Sequence, residues 1–146
     1  MQNFLISTLF FLSLEVLAET PKEFMHRYLE VWNQENVEKY EATFAIPHTR
    51  DYDGVLTIVD EPNISLVNFD EIKETGWVRS RIDSLETIME SENAAMMKFS
   101  FSRINSDGKS YLAATGLYGL TRITGSWQIQ SIWFPSKITV GIEADK

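Results

Sequence analysis

Phe24, Tyr28, Val31 and Trp32 recur at i, i+4, i+7 and i+8, with Met25 and Leu29 widening the same stripe. That spacing predicts an amphipathic α-helix. Thr20, Pro21 and Glu23 mark its start, as N-cap, first helical residue and third member of a capping box. The polar residues 33–36 interrupt the pattern. A second, shorter helix follows, capped by Asn36, with Val37, Tyr40 and Phe44 on one side. Pro47 is expected to end this helical pair, because the residue before proline avoids the α region. From Thr49 the texture changes: residues 55–59 form a β-branched-rich run bounded by Asp53-Gly54 and Glu61-Pro62. A third helix is predicted over 69–75, capped by Asn68 and stopped by Gly76. Strands follow. One covers 81–90; in the next, Met97, Phe99, Phe101 and Arg103 alternate with Met96, Lys98, Ser100 and Ser102. This period of two marks a sheet with one buried face. Turns at 105–108 and 124–126 separate the last strands, 111–122 and 127–134.

The predicted order is α-α-β-α-β-β-β-β, without repeat or linker. It reads as one α+β domain over 19–135, helices on one face of a curved antiparallel sheet, with 136–146 as a C-terminal tail. A sheet curved over a long first helix leaves a pocket at its wide end.

Composition narrows the partners. Of 146 residues, 44% are hydrophobic and 12% aromatic, enough for a filled interior. The formal net charge of -8 offers no basic face to nucleic acid or to anionic membranes. Without cysteine there is no disulfide, thiol catalysis or Cys-ligated zinc. Residues 4–14 are an apolar run too short to span a bilayer, and Val16-Leu17-Ala18 reads as a cleavage site. Residues 1–18 are therefore expected to be a signal peptide, making the protein periplasmic or secreted, with no stable membrane insertion after its removal. The run lacks a basic n-region and contains Glu15. An uncleaved extension packing on the domain is the alternative.

The segment HRYLEVWNQENVEKYEATF, residues 26–44, resembles the first two helices of NTF2-like proteins, a superfamily that includes ketosteroid isomerase and the SnoaL-type polyketide cyclases. Gly76-Trp77 after a short helix, the strand meander, and a final strand bearing Trp127 and Trp133 agree with it. The resemblance implies a cone-shaped α+β barrel of the cystatin-like kind. Set against ketosteroid isomerase, it puts the steroid-binding tyrosine on Tyr28. The general base falls on Tyr52, and the second oxyanion donor near Leu117 or Tyr118. Neither of the latter positions offers a carboxylic acid, and a tyrosine alone does not abstract a carbon-bound proton at neutral pH. Steroid isomerisation is not supported.

Three functional readings remain. The first is a cone that binds a small apolar or aromatic ligand through Tyr28, Trp32, His48, Trp77, Arg79 and Tyr118, aromatics with a guanidinium suiting a planar or carboxylate-bearing molecule. Each of these residues has a plainer alternative as core or solvated surface. The second is an isomerase, dehydratase or cyclase with His48 as acid/base and Tyr28 or Tyr52 polarising a carbonyl. Alternation places His48, Arg50 and Tyr52 on one strand face and Thr49 and Asp51 on the other. Asp51 and Asp53 read as part of a turn. The third is a homodimer through the open sheet face, using Trp127, Trp133 and Phe134. No cofactor is expected. No metal is expected either, since His26 and His48 are the only imidazoles and no ligand spacing occurs. Asn63-Ile64-Ser65 matches a glycosylation sequon.

Overall fold

A computed structural model describes residues 18–62, 64–65 and 67–138 of the chain. The expected signal peptide lies outside the described residues except for Ala18, as does most of the C-terminal tail and Asn63 of the sequon. The first helix, α1 (Pro21–Asn33), begins with the capping box the sequence predicts: Thr20 accepts from the Glu23 N–H, and the Glu23 carboxylate accepts from Thr20 N at 2.8 Å. Phe24, Met25, Tyr28, Leu29 and Trp32 are buried along one face. The second helix, α2 (Val37–Glu41), is capped by Asn36 and buries Tyr40.

The chain then enters strand β1 (Phe44–Tyr52) and turns back as β2 (Val55–Val59). Two expectations are corrected here. Phe44 belongs to β1 rather than to the second helix, and Pro47 lies inside β1 rather than ending a helical pair. The strand tolerates the proline because its pairing with its neighbour is broken between Phe44 and Thr49, so no ladder hydrogen bond is required of it. The Ile46–Pro47 bond is cis. Asp53 and Gly54 both have positive φ, 57° and 78°, the backbone of a two-residue hairpin turn. Asp51 supports that turn by accepting from the Gly54 N–H.

Helix α3 (Phe69–Glu74) leads into four long strands, β3 (Arg79–Glu90), β4 (Ala94–Ile104), β5 (Ser110–Ile123) and β6 (Ser126–Phe134). With β1 and β2 they form one six-stranded sheet in the order β2-β1-β6-β5-β4-β3. The sheet therefore has one strand more than the predicted order, and it is not wholly antiparallel, because β1 runs parallel to β6. Strands far apart in sequence are free to pair in parallel, whereas tight hairpins impose the antiparallel pairings elsewhere. The third helix follows strand structure, as in the predicted order: α3 comes after the β1–β2 hairpin.

Alternation decides which side chains face the helix. Met97, Phe99, Phe101 and Arg103 of β4 point inward with Tyr118 and Leu120 of β5 and Ile132 and Phe134 of β6. Gly116 lets β5 approach its neighbour, since a Cβ there would lie 2.6 Å from the Phe134 ring. The end of α1 is tied to β3 by a pair of hydrogen bonds, Asn33 Nδ2 to the Ser80 carbonyl and Ser80 N–H to Asn33 Oδ1. This tie fixes Tyr28 and Trp32 under the sheet.

Candidate functional site

Between α1 and the inner face of the sheet lies a cavity of about 30 Å³. That is room for about one or two waters. Its lining comes from every layer of the fold: Tyr28, Leu29 and Trp32 of α1, Tyr40 of α2, Tyr52 of β1, Ser80 of β3, Phe99, Phe101 and Arg103 of β4, Tyr118 of β5 and Phe134 of β6. Ile138, beyond β6, completes it. The wall is a chain of aromatic contacts. Tyr52 stacks on Phe134 with centroids 5.7 Å apart, and Phe134 meets Phe101 and Tyr118 edge to face. Tyr118 meets Tyr28 at 5.6 Å.

Polar atoms converge on this aromatic chamber. The hydroxyls of Tyr28 and Tyr118 are 3.4 Å apart. Burial drives the pKa of Tyr28, Tyr40 and Tyr118 well above the ordinary phenol value, so all three are neutral donors at physiological pH. Arg103 is only 1% exposed, and its guanidinium lies 5.8 Å from the Trp32 ring centroid. Its Nε and Nη1 are buried without a hydrogen-bond partner, and so is Trp32 Nε1. No described carboxylate forms an ion pair with it. Burial lowers its pKa, partly offset by the neighbouring Tyr111 hydroxyl. The guanidinium nevertheless stays charged, because arginine does not deprotonate in proteins.

The residues singled out from the sequence divide accordingly. Tyr28, Trp32, Tyr52 and Tyr118 line the cavity; His48, Trp77 and Arg79 do not. Trp77 is buried one layer out, packed on Trp32 and Phe69, with its Nε1 donating to Ser80 Oγ. Arg79 points to solvent, since alternation along β3 turns Ser80 inward in its place. His48 is buried with both ring nitrogens occupied. Nδ1 donates to the Ala45 carbonyl at 2.9 Å, and Nε2 accepts from Arg50 Nε at 3.1 Å. Burial and the Arg50 charge lower its pKa to about 4. The imidazole is therefore neutral and spoken for at physiological pH. Arg50 in turn reaches Glu41 at 3.3 Å and lies 4.1 Å from the Phe44 ring centroid.

Of the three aromatics proposed for an open face, Trp127 and Phe134 are inside the core, and only Trp133 is exposed. Among the described residues, no three His, Asp or Glu side chains gather to hold a metal, and no helix is long and apolar enough to cross a membrane.

A long capped helix laid into a six-stranded sheet, with an aromatic pocket between them, defines the NTF2-like class of cone-shaped α+β domains. The chain belongs to the family described as NTF2-like protein (DUF6841), which matches residues 18–136. No curated protein matches it in sequence. Among solved structures, it is similar to a protein of unknown function with a cystatin-like fold from Nostoc punctiforme, at 15% identity and a TM-score of 0.59, over 82% of this chain and 90% of that one. A Catenulispora acidiphila protein solved in complex with S-DNPA is similar at 16% identity and a TM-score of 0.57, over 77% and 87% of the two chains. A protein of unknown function from Mycobacterium tuberculosis is similar at 15% identity and a TM-score of 0.58, over 85% and 83%. At such identities the likeness extends to the fold alone.

The lining residues not anticipated for the site include Tyr40, Phe99, Phe101 and Arg103. The signal for three of them was present, because the period-two pattern of β4 already put Phe99, Phe101 and Arg103 on one face. An arginine at the end of a buried stripe is the departure from pattern that marks a site.

Proposed function

We propose that this domain binds a small, largely apolar or aromatic molecule in its cone, without catalysis by His48, and works in the periplasm or outside the cell. The observation that supports the reading is the aromatic chamber between α1 and the sheet, two of whose lining residues, Trp32 and Arg103, carry buried polar atoms without partners. Apolar walls with a few convergent donors are what small-molecule sites are made of, and a ring-sized occupant requires this lining to open beyond its free space of about 30 Å³. A histidine whose two nitrogens are already engaged has no lone pair or proton to offer a substrate. The neutral tyrosines supply hydrogen bonds but no base. The export part of the reading rests on the leader-like pattern of residues 1–18.

A thermal-shift screen with one- and two-ring aromatic compounds tests the binding. A ligand at a hundred times its dissociation constant stabilises the fold by about 2.7 kcal/mol, several degrees in Tm. Tyr118→Trp, which fills the chamber, should abolish that shift. A panel without any stabilising compound, or shifts that survive the filled variant, would remove the reading. N-terminal sequencing of the protein from fractionated cells tests export, the expected first residue being Glu19.

A further inference from the structure

We propose that the molecule held in the cone is an organic acid, its carboxylate seated against Arg103 and its apolar body against the aromatic wall. The inference rests on the small-molecule reading above and specifies its ligand class. Arg103 lies at the inner end of β4, is 1% exposed, and leaves Nε and Nη1 without partners. Each of these atoms carries an N–H free to donate a charge-assisted hydrogen bond to a carboxylate oxygen, Nε on one edge of the guanidinium and Nη1 on another. Trp32 Nε1, from a different element, is a third partnerless donor on the same lining. Two unmatched groups from α1 and β4 are not an accident of one strand's register. A buried cation with no anion is one of the most costly arrangements a core can hold, and a bound carboxylate removes that cost.

The other fully buried arginine, Arg50, also leaves its Nη1 without a partner, but its charge is matched. Arg50, equally buried, has Glu41 and His48 as partners. The chain therefore supplies an anion where it needs one for the fold and omits it at the cavity. The chemistry also selects among anions. A carboxylate brings an apolar body to the aromatic wall, whereas inorganic phosphate has none to place there. The rings of Phe99, Phe101 and Phe134 offer nothing to a polar ligand body. The free space of about 30 Å³ is too small for the ligand body, which enters only if the lining gives way; Ile138 is the one lining residue outside the helices and strands.

The test compares matched acids and amides by isothermal titration calorimetry: phenylacetate and 2-naphthoate against phenylacetamide and 2-naphthamide. The acids should bind the unaltered protein at least about tenfold more tightly than the amides, the worth of a charge-assisted pair. Arg103→Met should remove that preference while leaving amide binding in place. Inorganic phosphate should not compete. Equal affinity for acid and amide, or acid binding undiminished in a folded Arg103→Met variant, overturns the carboxylate assignment and leaves the small-molecule reading standing. Absence of binding by both series overturns the two together. Should Arg103→Met fail to fold, the acid-to-amide ratio in the unaltered protein decides by itself.

Discussion

Arg50 and Arg103 are both 1% exposed, both rise from a strand toward the helices, and both lie over an aromatic ring. Their surroundings differ. Arg50 has a carboxylate on α2 and an imidazole two residues away on its own strand, which itself is pinned to the Ala45 carbonyl. Burial works against its charge, yet the acidic groups around it, Tyr40, Tyr52 and Glu41, hold its pKa above the ordinary value. Arg103 has a tyrosine hydroxyl nearby and no acid, and burial pulls its pKa down. The same residue type thus serves two purposes: one guanidinium joins α2 to β1, and the other stands at a cavity.

The comparison breaks if Arg50 does not need its carboxylate. Glu41→Gln keeps the shape of the side chain and removes its charge, leaving Arg50 with His48 but without an anion, as Arg103 is. Losing one partner of a buried pair is strongly destabilising; with Glu41 partly exposed, the expected loss is about 3 kcal/mol by urea unfolding. A loss below about 0.5 kcal/mol would show that water or the aromatic rings suffice for either arginine. A smaller effect follows from His48. Its pKa falls from 6.5 to about 4 on folding, so the unfolded chain binds a proton that the folded chain refuses. Stability is then fully present above pH 6.5, falls between pH 6.5 and about 4, and has no further His48 contribution below that. The expected loss from this group across the window is on the order of 2 kcal/mol. His48→Asn, which retains a donor for Ala45, should flatten the stability curve between pH 6.5 and 4.5. An unchanged slope would separate His48 from the Arg50 cluster.

How far this contrast was legible in the sequence depends on periodicity. The helix stripe from Phe24 to Trp32 and the capping box gave α1 its position, and with it the inward-facing Tyr28 and Trp32. The alternation in β4 named the inner face to which Arg103 belongs. Arg79, beside the short third helix, is the arginine the pattern offers instead, because a strand without its register does not say which of two neighbouring residues turns inward. Only the pairing of Ser80 with Arg103 settles that. His48 was correctly placed on the Arg50 and Tyr52 face, but its occupied nitrogens were hidden. The Ala45 carbonyl is reached through the local bend around Pro47, which the sequence read as a helix end rather than a strand interior. Likewise, the parallel β1–β6 pairing joins residues about eighty apart, beyond any local pattern.

The smallest effect has the opposite sign and bears most directly on the cavity arginine. Arg103→Met replaces a buried, unmatched cation with an unbranched apolar side chain that can fill the same channel. The lost contribution of the guanidinium over Trp32 is about 0.5–1 kcal/mol. Relief of its desolvation is expected to be at least as large, since apolar replacements of buried charges are often neutral or stabilising. The ligand-free variant should therefore unfold at the same urea midpoint or somewhat above it, a gain of up to about 1 kcal/mol, with an unchanged slope. The corresponding Arg50→Met change should lower the midpoint, because it removes the ion pair with Glu41 and leaves His48 Nε2 without its donor. If both variants lost stability alike, Arg103 would be a structural residue satisfied in a way its partnerless nitrogens do not reveal. A rise for one and a fall for the other would show the fold carrying Arg103 at a cost, as expected of a group kept for what it binds.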